Sequence, residues 1–179
     1  MSRIGVLQLL PDLAVGGGQQ VVLRHARAID PARVETHVAY FGASRAMAAL
    51  FEQAGIPVHR IPAPGPAAFP GALRRLDRLA RELGIGVLHT HGTPTDRILG
   101  LLAARRLGLP LATTLHGLRP RPGPLALRPR ALLTRLARNA ARALERRLDR
   151  GALAAAIAVS DAVREDWAGY LAAVGLAAE

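Results

Sequence analysis

The stretch "RIGVLQLLPDLAVGGGQQVVLRHARAI", residues 3–29, places three glycines between a strand-like run and a helix-like pattern. Residues 3–10 form a short apolar run that ends before Pro11, which is typical of a buried strand. From Gly18 to Ile29 the apolar residues recur at helical spacing. Because ordered patterns flank the glycines closely, they do not form a flexible linker. A tight turn and a backbone cradle for a phosphate at the helix N-terminus both remain open.

Strand and helix patterns alternate along the rest of the chain. Further strands are predicted at 34–41, 56–62, 86–92, 109–117 and 152–160. Helices are predicted at 44–55, 73–83, 95–107, 132–148 and 161–173, with Ser44 and Ser160 as N-caps and a loop over 63–71. This order predicts an α/β fold, a Rossmann-like parallel sheet of about six strands with helices on both faces, in a single domain over residues 1–179. In such sheets ligands bind beyond the carboxyl ends of the strands.

The composition excludes several classes of function. The chain has no cysteine, which excludes disulfides and thiol catalysis, and no pattern typical of a signal peptide or a membrane span. All 24 basic residues are arginine and the formal net charge is +11, which suits an anionic partner. Only six residues are aromatic, so a nucleic-acid partner is not expected. We predict a cytoplasmic protein.

An arginine-rich segment, residues 119–150, is a second basic feature, with ten arginines. A basic amphipathic helix of this kind either lies on an anionic membrane or presents a solvated face to water. The first alternative predicts peripheral association with the inner face of the membrane.

Polar side chains follow several predicted strands. We predict that His89 and His91 point to opposite faces of the sheet, one toward the cleft and the other packed internally, so that they do not form a metal site. His116 ends the next strand, where it could donate a hydrogen bond to a sugar hydroxyl or a phosphate, or carry a proton. Ser160 is interpreted as a helix cap and not as a nucleophile.

Five segments, taken together, are similar to a known family: "GGGQQVVLRHARAI", "GIPVHRIP", "VLHTHG", "ARRLGLPLATTLHGL" and "AAAIAVSDAVRED". In order and spacing the chain resembles the N-terminal, acceptor-side domain of family 4 glycosyltransferases, retaining nucleotide-sugar enzymes of GT-B fold. The resemblance implies that Gly16, Gly17 and Gly18 approach the donor diphosphate and that His116 is the catalytic residue that contacts the transferred sugar. It also implies an acceptor or sugar pocket formed by Gln19, His91, Gly92, Thr114 and Gly117.

The resemblance also implies partners. The substrates would be a nucleotide-diphosphate sugar and a sugar or lipid acceptor, with no cofactor and no metal. Full-length members carry a second Rossmann-like domain that holds most of the nucleotide contacts, and no segment here resembles it. We therefore expect half of a retaining hexosyltransferase-like enzyme, inactive alone, with the second GT-B half as a partner chain. The alternative is a non-catalytic Rossmann-like module that binds an anionic ligand, a membrane surface or a partner protein.

Overall fold

The computed structural model describes residues 3–91, 94–119, 147 and 149–176. Its strands are β1 (Ile4–Leu10), β2 (Val34–Tyr40), β3 (Val58–Arg60), β4 (Ile85–Thr90), β5 (Leu111–Leu115) and β6 (Leu153–Ala158). Its helices are α1 (Gly17–Ala28), α2 (Ala48–Gln53), α3 (Phe69–Glu82), α4 (Pro94–Leu107) and α5 (Asp161–Val174). The predicted helix over 132–148 lies outside the described residues.

The six strands form one parallel sheet in the order β3-β2-β1-β4-β5-β6. This confirms the predicted Rossmann-like parallel sheet and all six predicted strands. The strand order reverses between β1 and β4, so the loops that follow these two strands diverge there and open a crevice at the carboxyl edge.

Two apolar layers cover the sheet, as the alternation along β1 indicates. Leu7 and Leu9 belong to a core cluster with side chains of α3, α4 and α5. Leu10 belongs to a second cluster with side chains of α1 and α2. Gln8 shares the face of Leu10, so a polar side chain lies in the middle of the sheet on the side covered by α1.

Helix α4 packs unusually closely on the sheet through Gly100. A Cβ at this position would lie 2.5 Å from Cγ2 of Thr90 and 2.9 Å from Cδ1 of Leu9. The absent side chain therefore sets the distance between α4 and the two central strands, and with it the position of the first turn of α4 beside the end of β4.

Several predicted boundaries differ from the structure. The predicted Ser44 cap was wrong: α2 begins at Ala48 without a side-chain cap, because Leu13 pairs with this segment by accepting from Met47 N and donating to Ser44 O. The predicted loop over 63–71 is shorter, since a 3₁₀ turn begins at 66 and α3 begins at Phe69. The Ser160 cap is confirmed, because its hydroxyl accepts from Val163 N at 3.4 Å.

Within the part of the chain that the structure describes, no helix combines the length and the apolar character that crossing a bilayer requires.

Candidate functional site

A layer of polar side chains lies on the α1-facing side of β1, β4 and β5. Its members occupy alternate positions at or just beyond the carboxyl halves of these strands; they are Gln8, His89, His91, Thr114 and His116. All except His116 are more than nine-tenths buried. Buried polar groups must find partners inside the protein, and these side chains pair with one another in one group of three and one separate pair.

The prediction that His89 and His91 point to opposite faces was wrong. Residues two apart along a strand share a face, because side chains alternate with a period of two. The two ring centroids are accordingly 4.6 Å apart, and both rings lie in the same layer.

His91 is the centre of the hydrogen-bonded set. Its Nε2 lies 2.8 Å from Oε1 of Gln8, and its Nδ1 lies 3.1 Å from Nε2 of His116. Its backbone N–H donates to Oδ2 of Asp96 at 2.8 Å, from the first turn of α4. Ring and backbone of His91 are thus held from β1, α4 and the end of β5 at once.

His89 and Thr114 form a separate pair in the layer, with Nε2 of His89 and Oγ1 of Thr114 2.8 Å apart. Thr114 is 1 % exposed, so its hydroxyl contacts His89 below the protein surface.

Burial keeps these histidines neutral. Desolvation, with smaller contributions from neighbouring histidines, lowers the pKa of His91 to about 2 and that of His89 to about 4. The pKa of His116 is also lowered, first by burial and then by the nearby His25 of α1. At neutral pH the layer therefore acts through hydrogen bonds of uncharged imidazoles.

The glycine loop meets this layer at the start of α1. Gly16 is the N-cap residue with an extended backbone, and neither a side-chain cap nor an acidic residue occupies the first turn. The first intrahelical bond runs from Gln20 N to Gly16 O, so the preceding N–H groups are available to an external acceptor. A Cβ on Gly18 would lie 3.7 Å from Nε2 of His116, whereas one on Gly17 would have no neighbour within 4 Å.

Gln19 closes the loop that precedes α1. Its Nε2 donates to the carbonyl of Asp12 at 3.3 Å and to the Asp12 carboxylate at 3.2 Å. Its Oε1 would lie 2.7 Å from a Cβ on Gly16. The side chain thus folds back over the loop, and a direct role in a sugar pocket stays a prediction.

The loop after His116 is fixed by α5. Trp167 Nε1 donates to the carbonyl of Gly117 at 2.9 Å, and Arg119 N donates to the Asp166 carboxylate at 2.6 Å. The Arg119 guanidinium also lies 5.6 Å from the centre of the Trp167 ring. Helix α5 therefore determines the path of the chain directly beyond the candidate site.

The structure brings Gly18, His91 and His116 together, as predicted for neighbouring strand ends. Gly17 and Gly117 lie exposed at the same edge, and Gly92 lies outside the described residues. Gln8 and Asp96, which hydrogen-bond the ring and the backbone N–H of His91, were not predicted from the sequence. Gln8 was detectable as the one uncharged polar side chain in the apolar run 3–10, because a buried amide requires a partner.

The arginine-rich segment 119–150 lies outside the described residues except at Arg119, Arg147, Asp149 and Arg150. Within that part, Arg150 Nε donates to Ala173 O at 3.0 Å. The predicted contact with an anionic membrane therefore stays a prediction.

A cavity of about 450 Å³ lies at the opposite edge of the sheet, near the start of β5 and β6. Its charged lining consists of Arg105 and Arg150, and Arg105 donates to the carbonyl of Arg150 at 2.9 Å. It lacks acid–base groups and lies away from the carboxyl edge, so we assign the site to the polar layer. Among the described residues, no three histidine or carboxylate side chains are arranged to hold a metal ion.

Comparison with known proteins identifies the family. The model of glycosyltransferase family 4 matches residues 15–173. The chain therefore belongs to glycosyltransferase family 4. No curated protein sequence matches it significantly.

Solved structures confirm the fold as one domain of a GT-B protein. HepE from Anabaena, solved with UDP and glucose, is 21% identical with a TM-score of 0.65, and the match covers 98% of this chain and 42% of HepE. A glycosyltransferase from Rickettsia africae is 12% identical with a TM-score of 0.68, covering 98% and 41%. A UDP-N-acetylglucosamine 2-epimerase from Rickettsia bellii is 14% identical with a TM-score of 0.59, covering 99% and 43%. The chain thus spans about two-fifths of the length of these proteins.

Proposed function

We propose that this chain is the acceptor-side half of a retaining glycosyltransferase. In this proposal the glycine loop, Gly16 to Gly18, binds the diphosphate of a nucleotide sugar, and His116 contacts the transferred sugar. The observation that carries the proposal is the 3.7 Å separation between His116 Nε2 and the Cβ position of Gly18. One ligand with adjacent phosphate and sugar groups can touch both.

The diphosphate side rests on the start of α1. The missing side chains at the glycines let a phosphate approach the backbone, and the helix N-terminus offers free N–H groups and the positive end of its dipole. These groups stabilise the diphosphate without a metal ion, so the proposal includes none.

The sugar side rests on the neutral polar layer. An uncharged imidazole hydrogen-bonds a hydroxyl without attracting a second anion to the sugar position. His91 holds the ring of His116 at 3.1 Å, which fixes its orientation before a ligand arrives. Such preorganisation reduces the reorganisation required on binding.

The second half of the enzyme is also part of the proposal. The matched structures are more than twice as long as this chain, so a second domain or chain would bind the nucleotide and close over the cleft. Glycosyl transfer requires donor and acceptor to be held together with water excluded, which an open cleft on a single domain does not achieve. We expect binding without turnover for residues 1–179 alone.

Titration of the ¹⁵N-labelled chain with UDP and UDP-glucose tests the diphosphate site. Gly17→Val leaves the packing intact, since nothing lies within 4 Å of its Cβ position, but it blocks the approach of a phosphate. Gly71→Val is the matched control, a first-turn glycine of α3 with equally open surroundings. We expect at least about tenfold weaker UDP binding for Gly17→Val only, corresponding to about 1.4 kcal/mol. Equal binding by wild type and Gly17→Val would remove the glycine loop from the site.

A further inference from the structure

We propose that Gln8 is a positioning residue that acts through His91 to keep the proton of His116 on Nε2, which leaves Nδ1 of His116 as an acceptor for a sugar hydroxyl. The three hydrogen-bonded side chains of Gln8, His91 and His116 form a relay. The order of protons in the relay is inferred from the geometry of the protein alone. The identity of the ligand rests on the proposed function.

The relay begins at a rigid point. Gln8 lies in β1, where its backbone pairs with β2 on one side and β4 on the other. Its side chain is 5 % exposed, so its amide meets protein partners rather than water. The carbonyl Oε1 of Gln8 can only accept a hydrogen bond. Nε2 of His91, 2.8 Å away, must therefore carry a proton.

The second step follows from the charge of His91. Burial lowers its pKa to about 2, so at neutral pH the ring carries one proton. That proton is on Nε2, which leaves a lone pair on Nδ1. The contact of 3.1 Å between Nδ1 and His116 is then a hydrogen bond that His116 Nε2–H donates. The bond from the backbone N–H of His91 to Asp96 fixes the main chain from which this ring extends.

The third step gives the consequence for ligands. Because His116 is also neutral, its single proton is used in the relay and its Nδ1 carries a lone pair. A lone pair accepts from a hydroxyl, whereas an ionised phosphate oxygen has no proton to donate. The relay therefore makes His116 selective for sugar hydroxyls and excludes its use as a phosphate donor.

The opposite proton order makes the inference falsifiable. If the amide of Gln8 were turned over, its Nε2 would donate to Nε2 of His91. His91 would then donate from Nδ1, and His116 would carry its proton on Nδ1. The two orders differ at every nitrogen of the relay, so one measurement distinguishes them.

Long-range ¹H–¹⁵N correlation spectra of the histidine-labelled chain at about pH 7.5 provide this measurement. We expect both His91 and His116 to carry the proton on Nε2, with a nitrogen–nitrogen coupling across the hydrogen bond between them. A proton on Nδ1 of His116, or no such coupling, would overturn the proposal.

Substitution tests the role of Gln8. Gln8→Met keeps the size of the side chain but removes the acceptor, so we expect the coupling to vanish and a second tautomer of His116 to become detectable. Gln20→Met, an exposed position of α1, is the control and should leave both signals unchanged. An unchanged His116 tautomer and coupling in a folded Gln8→Met chain would remove Gln8 from the relay, and the wild-type spectra stand even if that variant does not fold.

The ligand is tested separately. At saturating UDP-glucose we expect the ¹⁵N resonance of His116 Nδ1 to shift, whereas UDP alone leaves it in place. Gln8→Met should weaken the binding of UDP-glucose about fivefold and leave the binding of UDP unchanged, since one neutral hydrogen bond contributes about 1 kcal/mol. An equal shift with UDP, or none with UDP-glucose, would overturn the hydroxyl assignment. If Gly17→Val bound UDP as tightly as wild type, that result would count against the proposed diphosphate site and leave the tautomer result intact.

Discussion

Acidification should destabilise this protein strongly between about pH 7.5 and about pH 5. Burial lowers the pKa of His91 to about 2 and that of His89 to about 4, from 6.5 for a free histidine. The unfolded chain therefore takes up protons on both residues in an interval where the folded chain does not. Since the unfolded state binds more protons, the free energy of unfolding falls as the pH falls.

The size of the effect follows from the width of the interval. One pKa unit corresponds to about 1.4 kcal/mol, and about 1.5 units of the interval lie below the free-histidine value. Each of the two histidines then removes about 2 kcal/mol, and the pair about 4 kcal/mol. The pKa values of His59 and His116 are lowered as well, which adds to the loss in the same direction. A loss of this size is a large part of the stability of a typical domain.

Urea unfolding followed by circular dichroism at the two pH values measures the loss directly. In His91→Asn one of the two main contributions is absent, so the fall should be only about 2 kcal/mol although the variant starts less stable. The double variant His89→Asn, His91→Asn should lose less stability than His91→Asn over this interval, because only the smaller contributions of His59 and His116 remain. A wild-type loss below about 1 kcal/mol, or an unchanged loss in His91→Asn, would refute the reasoning.

Three further substitutions test the support of the site. Gly100→Ala should destabilise the protein by about 1–3 kcal/mol in thermal unfolding despite the better helix propensity of alanine, because the new Cβ has no room. Gly71→Ala, where the Cβ has open space, should be at least as stable as wild type. Equal stability of the two variants would contradict the packing argument. Asp96→Ala leaves the buried N–H of His91 without this acceptor, so we expect a loss of about 1–3 kcal/mol and faster amide exchange at that N–H. Protection of that amide as in wild type would show that the bond is not required. Ser160→Ala should cost about 1 kcal/mol in urea unfolding, and no change would mean that the cap at 3.4 Å contributes nothing.

The sheet was predictable because its signal is local. Most strands are short apolar runs, β2 alternates apolar and polar residues, and the helices between the strands favour parallel pairing. The start of α2 was not predictable from Ser44, because backbone bonds to Leu13, about thirty residues earlier in the chain, hold that segment out of the helix. Local capping signals lose to such tertiary pairing, which the sequence does not display.

The site was predictable at the level of strand ends. The proximity of the glycine loop, His91 and His116 was predictable because parallel strands bring their carboxyl ends to one edge. The prediction that His89 and His91 lie on opposite faces was wrong, although the period of two was sufficient to place them side by side. That error hid the polar layer, since two histidines on one face of a buried sheet already require further polar partners.

The sequence shows that Gln8 is unusual in its strand but does not identify its partner. Its signal was a lone amide in a buried apolar strand, which predicts a partner but not which one. The partner lies 83 positions away in the chain and is adjacent only because β1 and β4 pair at the reversal of the strand order. A fold selected for stability alone would place apolar side chains at Gln8, His89 and His91, and would avoid the loss on acidification. These three side chains lie in one layer at the crevice, and His91 contacts His116 directly. Their presence is therefore better explained by a requirement of the site than by a requirement of the core.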